Sequence, residues 1–324
     1  MISKLLFYQS KTTDPYTNLA TEKLLFDTLP HDSVILYLWQ NDNTVVIGKN
    51  QNPWAECNCS LMEKDGVRLA RRLSGGGAVY HDLGNLNFTF ICQSEDYDLE
   101  KQLGVIIRAC TEAGINAELS GRNDILTNGK KFSGNAFYNS QGRSYHHGTL
   151  LISSNTDKLS SYLTPDSDKL RSKGIKSVSS RIINLSELSH GLTPQTMTEY
   201  MKRAFAKEYL LPLSCCTEPD PKKISELAAD YSSWEYLYGK TFPFSFEAKE
   251  KFSWGGVEIK LDTEKGIIRS VQVYTDAMDH LLSENVSAAL SGVRFTESDI
   301  RKALNLHLSH EVAEDLISLI AKIL

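Results

Sequence analysis

Three consecutive glycines near residue 75 form the strongest chemical feature of the sequence. They lie in segment 71–82, which reads Arg-Arg-Leu-Ser-Gly-Gly-Gly-Ala-Val-Tyr-His-Asp. Glycines lack side chains, so a ligand can approach the backbone and successive N–H groups can converge on an anion. The arginines at its start, Arg71 and Arg72, can make charge-assisted contacts to phosphate. The segment therefore predicts a cradle for an anion or a nucleotide.

The same segment matches neither of two common phosphate-binding fingerprints. It lacks the GxxxxGK[ST] pattern of a Walker A loop, and it lacks the GxGxxG that opens a helix in dinucleotide-binding folds. The alternative is a plain tight turn with two solvated arginines. That alternative is disfavoured because ordering three glycines costs much conformational entropy.

Two polar clusters follow the glycine-rich segment. Residues 130–136 read Lys-Lys-Phe-Ser-Gly-Asn-Ala, and a lysine beside small residues on a strand can bind a carboxylate or a phosphate. A solvated hairpin is the alternative for Lys130 and Lys131. Further on, His146 and His147 are adjacent, so on a strand they point to opposite faces and one of them can face a ligand.

Helices and strands that would position these clusters can be assigned from caps and hydrophobic periodicity. Asp14 followed by Pro15 predicts the start of a helix that Pro30 ends. Apolar residues at helical spacing predict another helix over 99–110, with Gly114 as its stop. Asn128-Gly129 predicts a hairpin turn. Further strands are predicted over 34–39, 44–47, 66–69, 86–92 and 149–152, and a further helix over 193–209.

The character of the chain changes beyond about residue 240. Residues 252–261 and 267–274 alternate like two strands of a hairpin, joined by a polar turn that ends in Gly266. From Asp279 onward the pattern is largely helical. We therefore predict a large domain over 1–245 and a small accessory domain over 252–324.

Composition excludes several classes of protein. The 324 residues carry 35 Lys and Arg against 40 Asp and Glu, a net charge of -5 that argues against wholesale nucleic-acid binding. No apolar run approaches the ~20 residues of a membrane span, and the N-terminus has no signal-peptide core. The six cysteines show no repeated metal-ligand spacing, so we predict reduced thiols in a cytoplasmic protein.

Several motifs, in order along nearly the whole chain, resemble the lipoate-protein ligase A family in its bacterial two-domain form. The family belongs to the lipoate and biotin ligase superfamily. The motifs that carry the resemblance are the glycine-rich segment with Gly84-Asn85, then 122–124, 131–136, 146–151, 173–178, 232–235 and 252–258. The combination of the triple-glycine block with the lysine block is highly specific to the superfamily.

The resemblance implies a fold, a reaction and partners. The fold is α+β: a mixed-sheet catalytic domain of the biotin and lipoate ligase type with a small α/β C-terminal domain. The enzyme joins lipoate to ATP as lipoyl-AMP, then transfers the lipoyl group to a lysine of an acceptor protein. The acceptors are lipoyl domains of 2-oxoacid dehydrogenases and the H protein of glycine cleavage. Octanoate is a possible second acid, Mg²⁺ accompanies ATP, and no nucleic acid or membrane takes part.

Residue roles follow from the same resemblance, position by position. Lys131 is the catalytic residue and touches both ATP and the lipoate carboxyl group. The other expected ATP-binding residues are Arg72, Gly77, Ala78, Val79, Tyr80, Asn123 and Asp124. The other expected lipoate-binding residues are Ser74, Gly75, Gly76, His81 and His147, and Leu19 and Val46 are further possible liners of an apolar tunnel. Asp124 or Asn123 is a plausible ligand for Mg²⁺.

The basic residues between 169 and 181 allow two interpretations. They are a solvated loop, or a flap that closes over the adenylate and meets an acidic acceptor. Three other functions compete with the ligase. An octanoyl or lipoyl transferase would need a cysteine in the site, and none occurs between Cys110 and Cys215, although Cys92 stays open. A biotin ligase and a non-catalytic sensor of lipoyl-adenylate are the others.

Overall fold

The computed structural model describes residues 2–120, 124–163, 181–239, 244–275, 277, 279 and 281–324. It contains two compact units. The first comprises Met1–Lys49 and Arg68–Ser232, and the second comprises Asn50–Val67 and Ser233–Leu324. These units differ from the predicted domains, which place 50–67 and 233–245 in the large domain. Hydrophobic periodicity cannot show to which unit a segment belongs, because it reports burial and not the partner against which the segment is buried.

Fourteen strands are present in the described residues. In chain order they are β1 (Lys4–Gln9), β2 (Ser33–Trp39), β3 (Thr44–Ile47), β4 (Arg68–Arg71), β5 (Val79–His81), β6 (Asn85–Gln93), β7 (Glu118–Ser120), β8 (Asp124–Thr127), β9 (Lys130–Ser140), β10 (Arg143–Leu151), β11 (Leu213–Cys215), β12 (Phe244–Phe252), β13 (Gly255–Glu264) and β14 (Ile267–Thr275).

Both units also contain helices. Within the described ranges they are α1 (Pro15–Asp27), α2 (Pro53–Glu56), α3 (Cys59–Lys64), α4 (Leu99–Glu112), α5 (Thr156–Tyr162), α6 (Pro194–Tyr209), α7 (Pro221–Tyr231), α8 (Trp234–Leu237), α9 (Leu282–Leu290), α10 (Glu297–His307) and α11 (His310–Ala321). None of the helices in these ranges is long and apolar enough to span a bilayer.

An eight-stranded mixed sheet forms the centre of the first unit. Its strand order is β11-β1-β2-β6-β10-β9-β8-β7, with β1 parallel to both of its neighbours and the pairs from β2 onward antiparallel. Every residue of β2 is buried, as an uninterrupted apolar run predicts for a central strand. Helices α4 and α6 cover one face with a continuous apolar core. The structure confirms the predicted α+β class.

Strand β6 separates the core from the functional face. Its apolar residues Leu86, Phe88 and Phe90 belong to the core beneath α4 and α6. The alternate residues are polar and equally buried: Asn85, Asn87 and Thr89. Because successive side chains of a strand point to opposite faces, these three face the side on which α1 packs. Buried polar groups on a sheet face need partners, so this face has the character of a binding site.

A second, three-stranded sheet carries the glycine-rich loop. Its order is β4-β3-β5, with β4 parallel and β5 antiparallel to β3. The loop joins the end of β4 to the start of β5, so both of its ends are fixed by pairing to the same central strand.

The second unit packs an antiparallel sheet, β12-β13-β14, with helices α9 to α11 around one apolar core. The segment from α2 to α3 belongs to this core through Trp54, whose Nε1–H donates to the Phe295 carbonyl at 3.1 Å. The N–H of Cys59 also donates to the Leu324 carbonyl at 2.9 Å. The predicted hairpin over 252–274 is present, and its turn has Lys265 and Gly266 at positive φ.

Local predictions that rest on caps and turns agree with the structure. Asp14 caps α1 by accepting from the N–H of Thr17, and Pro15 is its first residue. Asn128 and Gly129 both have positive φ in the tight turn from β8 to β9. The strand predicted over 66–69 begins two residues later, at Arg68, because Gly66 has positive φ and ends the preceding turn.

Candidate active site

Two adjoining cavities open on the functional face of the first unit. The smaller has a volume of about 230 Å³ and the larger about 620 Å³. Both are lined by Ala78, Val79, Asp124, Lys131, Gly134 and Thr149, which form the boundary between them. Away from this boundary the smaller cavity is lined mainly by Leu19, Trp39, Val46, His81, Asn87 and His147. The larger continues past Tyr80, Ser120, Leu126, Leu159, Arg181 and Ile182.

Arg72 holds the glycine-rich loop in shape from within. Its Nη2 donates to the carbonyls of Gly75 and Gly77 at 2.8 and 2.7 Å, and its Nε donates to the Oγ of Ser74 at 3.1 Å. Its Nη1 reaches back to the carbonyl of Val46. Burial lowers the pKa of the guanidinium to about 10, so it stays charged at neutral pH. The hydrogen-bonding capacity of the Gly75 and Gly77 carbonyls is thereby satisfied within the loop.

Two glycines are required by the path of this loop. Gly76 has φ +94, and a Cβ there would lie 2.8 Å from Nη2 of Arg72. Gly48, at the end of β3, passes so close that a Cβ would lie 2.4 Å from the carbonyl oxygen of Gly76. Gly75 and Gly77 have open space around the same position. The triple-glycine motif thus contains one sterically obligatory glycine in this structure.

A buried hydrogen-bonded chain connects helix α1 to the loop. The Nδ1–H of His147 donates to Oε1 of Glu22 at 2.8 Å, and the Oγ of Ser74 lies 2.7 Å from Nε2 of the same ring. Thr89 donates to the same carboxylate oxygen at 2.7 Å. All four side chains are buried. The chain fixes the orientation of His147 in the wall of the smaller cavity and holds the start of the loop.

The two adjacent histidines divide as strand alternation predicts. His147 faces the cavity, whereas His146 stacks between Phe90 and Phe137 on the core side. Burial lowers the pKa of His146 to about 3, so it is neutral at physiological pH. It is a core residue with polar partners and takes no part in the cavities.

Lys131 lies on the boundary of the two cavities. Its Nζ lies 2.7 Å from Oδ1 of Asp124, and its chain passes over Gly134, where a Cβ would meet Nζ at 3.0 Å. Strand β9 is held on both sides here, because Lys131 pairs with Leu126 of β8 and its carbonyl accepts from the N–H of Ile183. The ammonium group is therefore presented by a fixed backbone and has one anionic neighbour.

Arg181 supplies a second positive charge at the larger cavity. Its Nε and Nη2 are buried and have no hydrogen-bond partner in the described part of the chain. Two buried guanidinium N–H groups without hydrogen-bond partners are costly, so the arrangement favours an anionic ligand. Among the same residues, no group of three or more His, Cys, Asp or Glu side chains could hold a metal ion alone.

Comparison with known proteins identifies the family. The model of the lipoyl protein ligase A/B catalytic domain matches residues 14–206, and that of the bacterial lipoate protein ligase C-terminus matches 241–321. A curated relative from Psychrobacter cryohalolentis, named lipoate-protein ligase A, is 42% identical over 311 residues, which is 92% of this chain and 91% of the relative. The chain belongs to the lipoate-protein ligase A family.

Solved structures of lipoate-protein ligases share its fold. LipL1 of P. falciparum, in complex with lipoate, is 28% identical with a TM-score of 0.64 and 99% of each chain covered. A bipartite ligase from Thermoplasma acidophilum, analysed with its E2 lipoyl domain, is 27% identical with a TM-score of 0.62, covering 73% of this chain and 96% of that one. A lipoate-protein ligase A bound with ATP is 26% identical with a TM-score of 0.60, covering 73% and 98%.

The predicted site residues of this ligase lie in different parts of the site. Five predicted liners of the acyl tunnel stand in the wall of the smaller cavity: Leu19, Val46, Gly76, His81 and His147. Of the residues predicted for ATP, Tyr80 lines the larger cavity, Ala78, Val79, Lys131 and Asp124 line both, and Gly77 lines the smaller one. Asn123 lies outside the described residues, as do Lys169, Arg171, Lys173 and Lys176 of the basic run, whereas Arg181 is described.

Three predicted ligand contacts of the ligase have other partners in the structure. Ser74 and Gly75 do not line the smaller cavity and bind His147 and Arg72, so their contact with lipoate stays a prediction. Arg72 itself directs its N–H groups at loop carbonyls, so its contact with ATP stays a prediction. The sequence motif does not distinguish these two roles, because the same residue types serve to shape a loop and to contact a ligand.

Sequence reasoning missed several residues of the site. Glu22 lies in α1 within one turn of buried leucines. A carboxylate at such a position is itself expected to be buried and therefore to need a polar partner. Asn87 and Thr89 alternate with apolar residues in β6, which marks a strand with a polar face. The sequence shows Arg181 only as part of a basic run, because the lack of hydrogen-bond partners for its Nε and Nη2 appears only in three dimensions.

Proposed function

We propose that this ligase activates lipoate with ATP and attaches the lipoyl group to a lysine of lipoyl domains of 2-oxoacid dehydrogenases and of the glycine-cleavage H protein. The observation that carries the proposal is the position of Lys131, on the boundary between a small, largely apolar cavity and a larger one. A carboxylate whose chain fills the small cavity would meet, beside Lys131, a phosphate group held in the large one. Solved relatives were captured with lipoate and with ATP.

The first step is adenylation. A carboxylate oxygen of lipoate attacks the α-phosphorus of ATP, the bond from that phosphorus to the β-phosphate oxygen breaks, and pyrophosphate leaves with the electron pair. Both reactants are anions, so their approach is opposed by repulsion. The ammonium of Lys131 offsets that repulsion and stabilises the charge that develops on the phosphoryl oxygens. Its ion pair with Asp124 keeps it oriented before the substrates bind.

The second step is acyl transfer. The neutral amine of an acceptor lysine attacks the carbonyl carbon of lipoyl-AMP, the bond to the phosphate oxygen breaks, AMP leaves, and the amine loses one proton. The ligase from T. acidophilum was analysed with its E2 lipoyl domain, which supports an acceptor of that type. We also propose that the protein acts in the cytoplasm.

Phosphate and magnesium would be bound at the larger cavity. Arg181 offers two N–H groups without other partners, and the backbone of the glycine-rich loop borders the same space. Mg²⁺ with a nucleotide takes one or two carboxylates and completes its shell with phosphate oxygens and water. Asp124 fits that requirement as a carboxylate at the boundary, and the ion would neutralise charge on the triphosphate.

The cysteines disfavour the transferase alternative. None of the six lines either cavity. Cys92, the cysteine that the sequence leaves open as a nucleophile, is fully buried in the core, and burial raises the pKa of its thiol to about 12. A thiol that stays protonated at neutral pH is a poor nucleophile. The covalent route therefore has no suitable residue in the described part of the site.

Mass spectrometry of an apo lipoyl domain tests the proposal. Incubation with the ligase, ATP, Mg²⁺ and lipoate should add one lipoyl group to the acceptor. Lys131→Ala should reduce lipoate-dependent exchange of pyrophosphate into ATP by about 10²- to 10³-fold. Lys130→Ala is the matched control, because this neighbouring lysine is exposed and lines neither cavity. Acceptor modification without ATP, or full exchange by Lys131→Ala, would contradict the assignment.

A further inference from the structure

His81 is buried in the wall of the smaller cavity, away from the boundary with the larger one. Its Nδ1 lies 3.2 Å from Nδ2 of Asn41, whereas its Nε2 is buried and has no hydrogen-bond partner among the described residues. Such an atom in the wall of a ligand cavity requires an explanation, because buried polar groups are almost always paired. If Nε2 carries a hydrogen it needs an acceptor, and if it is bare it needs a donor.

A chain of three side chains decides that question. Asn18 donates through its Nδ2 to the backbone carbonyl of Gln40 at 2.8 Å, and a carbonyl can only accept, so this amide has a fixed orientation. The same Nδ2 lies 2.9 Å from Oδ1 of Asn41, which must therefore be the acceptor end of that amide. Nδ2 of Asn41 is left to donate to Nδ1 of His81.

It follows that Nδ1 of His81 is the acceptor of the ring and that Nε2 carries the hydrogen. Burial, with a smaller contribution from the charge of Arg72, lowers the pKa of His81 to about 3. The ring is therefore neutral throughout the physiological range, and its tautomer is set by Asn41. A side chain that lines the cavity therefore carries a buried N–H donor without a hydrogen-bond acceptor among the described residues.

A second polar atom lies in the same wall. Nδ2 of Asn87 is buried without a partner in the described residues, and its Oδ1 accepts from Asn85. The rest of this end of the cavity is lined by Leu19, Trp39 and Val46. An unbranched alkyl chain would satisfy the apolar groups but would leave the N–H of His81 without a partner, which costs binding free energy.

We propose that His81 is a specificity-determining residue: its Nε2–H binds a ring sulfur of lipoate, so that the site favours a sulfur-bearing acyl tail over a hydrocarbon tail of the same shape. This inference rests on the proposed function, because it takes the carboxyl group to lie beside Lys131 and the tail at the opposite end. Sulfur is a weak acceptor, yet a site that holds a buried donor discriminates against a ligand that offers none.

A pair of acids with the same shape tests the proposal without any mutation. Lipoate is 5-(1,2-dithiolan-3-yl)pentanoate, and 5-cyclopentylpentanoate replaces both ring sulfurs with methylene groups. We expect kcat/KM for acid-dependent ATP–pyrophosphate exchange to favour lipoate by about 5- to 20-fold. A wild-type ratio within twofold of one would overturn the proposal.

Two variants locate the preference in His81. His81→Leu removes the donor and should bring the ratio to within about twofold of one, whereas His81→Gln can still donate and should retain most of the preference. Leu19→Met alters the apolar wall alone, and the rates with both acids should change together. An unchanged ratio in His81→Leu would contradict the proposal. Absence of exchange with either acid in the wild type would contradict the proposed function instead.

Nitrogen NMR provides a readout independent of turnover. In ¹⁵N-histidine-labelled protein, the ring absent from the spectrum of His81→Gln should show a protonated Nε2 and a bare Nδ1 at neutral pH. Lipoate should shift the Nε2–H resonance more than the carbocyclic acid does. A bare Nε2, or equal shifts with the two acids, would refute the assignment of the donor.

Discussion

The Nζ of Lys131 and the Oδ1 of Asp124 lie 2.7 Å apart in a position that lines both cavities. Both side chains are partly exposed, so the pair contributes little to stability by itself. The pair matters in the ligand-free state, in which the carboxylate of Asp124 restricts the Lys131 side chain to one orientation. Binding of an anionic substrate would let Lys131 exchange partners, which leaves Asp124 available to a cation.

Asp124→Asn should separate these two roles. An amide is a much poorer ligand for Mg²⁺ than a carboxylate, so we expect the Mg²⁺ concentration for half-maximal exchange, at fixed ATP, to rise by about 10-fold. Asp157→Asn, an exposed acid at the start of α5, is the control and should leave it unchanged. An unchanged Mg²⁺ requirement in Asp124→Asn would restrict Asp124 to orienting Lys131.

Arg181→Gln should weaken ATP binding. The variant keeps hydrogen-bonding groups but removes the charge, and a charge-assisted contact to phosphate is worth more than a neutral one. We expect KM for ATP to rise about 10-fold while KM for lipoate changes little. The control is Arg108→Gln, which removes an arginine paired with Glu208 outside both cavities. Equal changes for both substrates would indicate general damage to the site.

The glycines of the loop should differ in their tolerance of a methyl group. Gly76→Ala meets Nη2 of Arg72 and must adopt positive φ, so it should lower the free energy of unfolding by about 1–3 kcal/mol. Gly75→Ala would place its Cβ in open space, so it should change the free energy of unfolding by less than about 0.5 kcal/mol. Chemical denaturation of both variants measures the difference, and equal stabilities would show that the loop relaxes.

Stability should fall on mild acidification because of two histidines. The pKa of His81 and of His146 is held at about 3, against an ordinary value of 6.5. Below pH 6.5 the unfolded chain binds a proton at each ring and the folded chain does not, so the free energy of unfolding decreases as pH falls. The limiting slope is about 1.4 kcal/mol per pH unit for each histidine.

Denaturant unfolding between pH 7 and 5 measures that slope. The interval lies above the range in which paired carboxylates protonate, so the histidines dominate it. His146→Phe keeps an aromatic ring beside Phe90 and removes one of the two groups. Its slope should be smaller than that of the wild type by about 1 kcal/mol per pH unit. Parallel curves for the two proteins would show that His146 takes up its proton in the folded state.

Much of the local structure could be predicted because short-range chemistry determines it. Asp14 and Pro15 place the start of α1 to the residue, and Asn128-Gly129 places the turn before β9. The run of apolar residues in β2 identifies a strand buried on both faces. Each of these patterns reports on neighbours within a few residues, so one sequence suffices to read it.

What could not be predicted depends on distant pairings. Glu22, Ser74 and His147 are separated by up to 125 positions yet form one hydrogen-bonded chain. Periodicity shows that each is buried but not against which partner. The direction of the Arg72 side chain could not be predicted either, because a guanidinium near three glycines can bind phosphate or the carbonyls of the loop itself. Only the folded chain distinguishes those outcomes.

The hydrogen bond from Trp54 to the Phe295 carbonyl has a consequence for the order of assembly. Its partners are 241 residues apart, and Trp54 is translated early whereas the core that receives it is translated near the end. At ~5–20 residues per second, the indole waits on the order of ten to fifty seconds for its partner on a translating ribosome. Throughout that interval the nascent polypeptide displays an unburied tryptophan to chaperones. Synonymous codons that change the translation rate between these positions would lengthen or shorten that interval without altering the sequence.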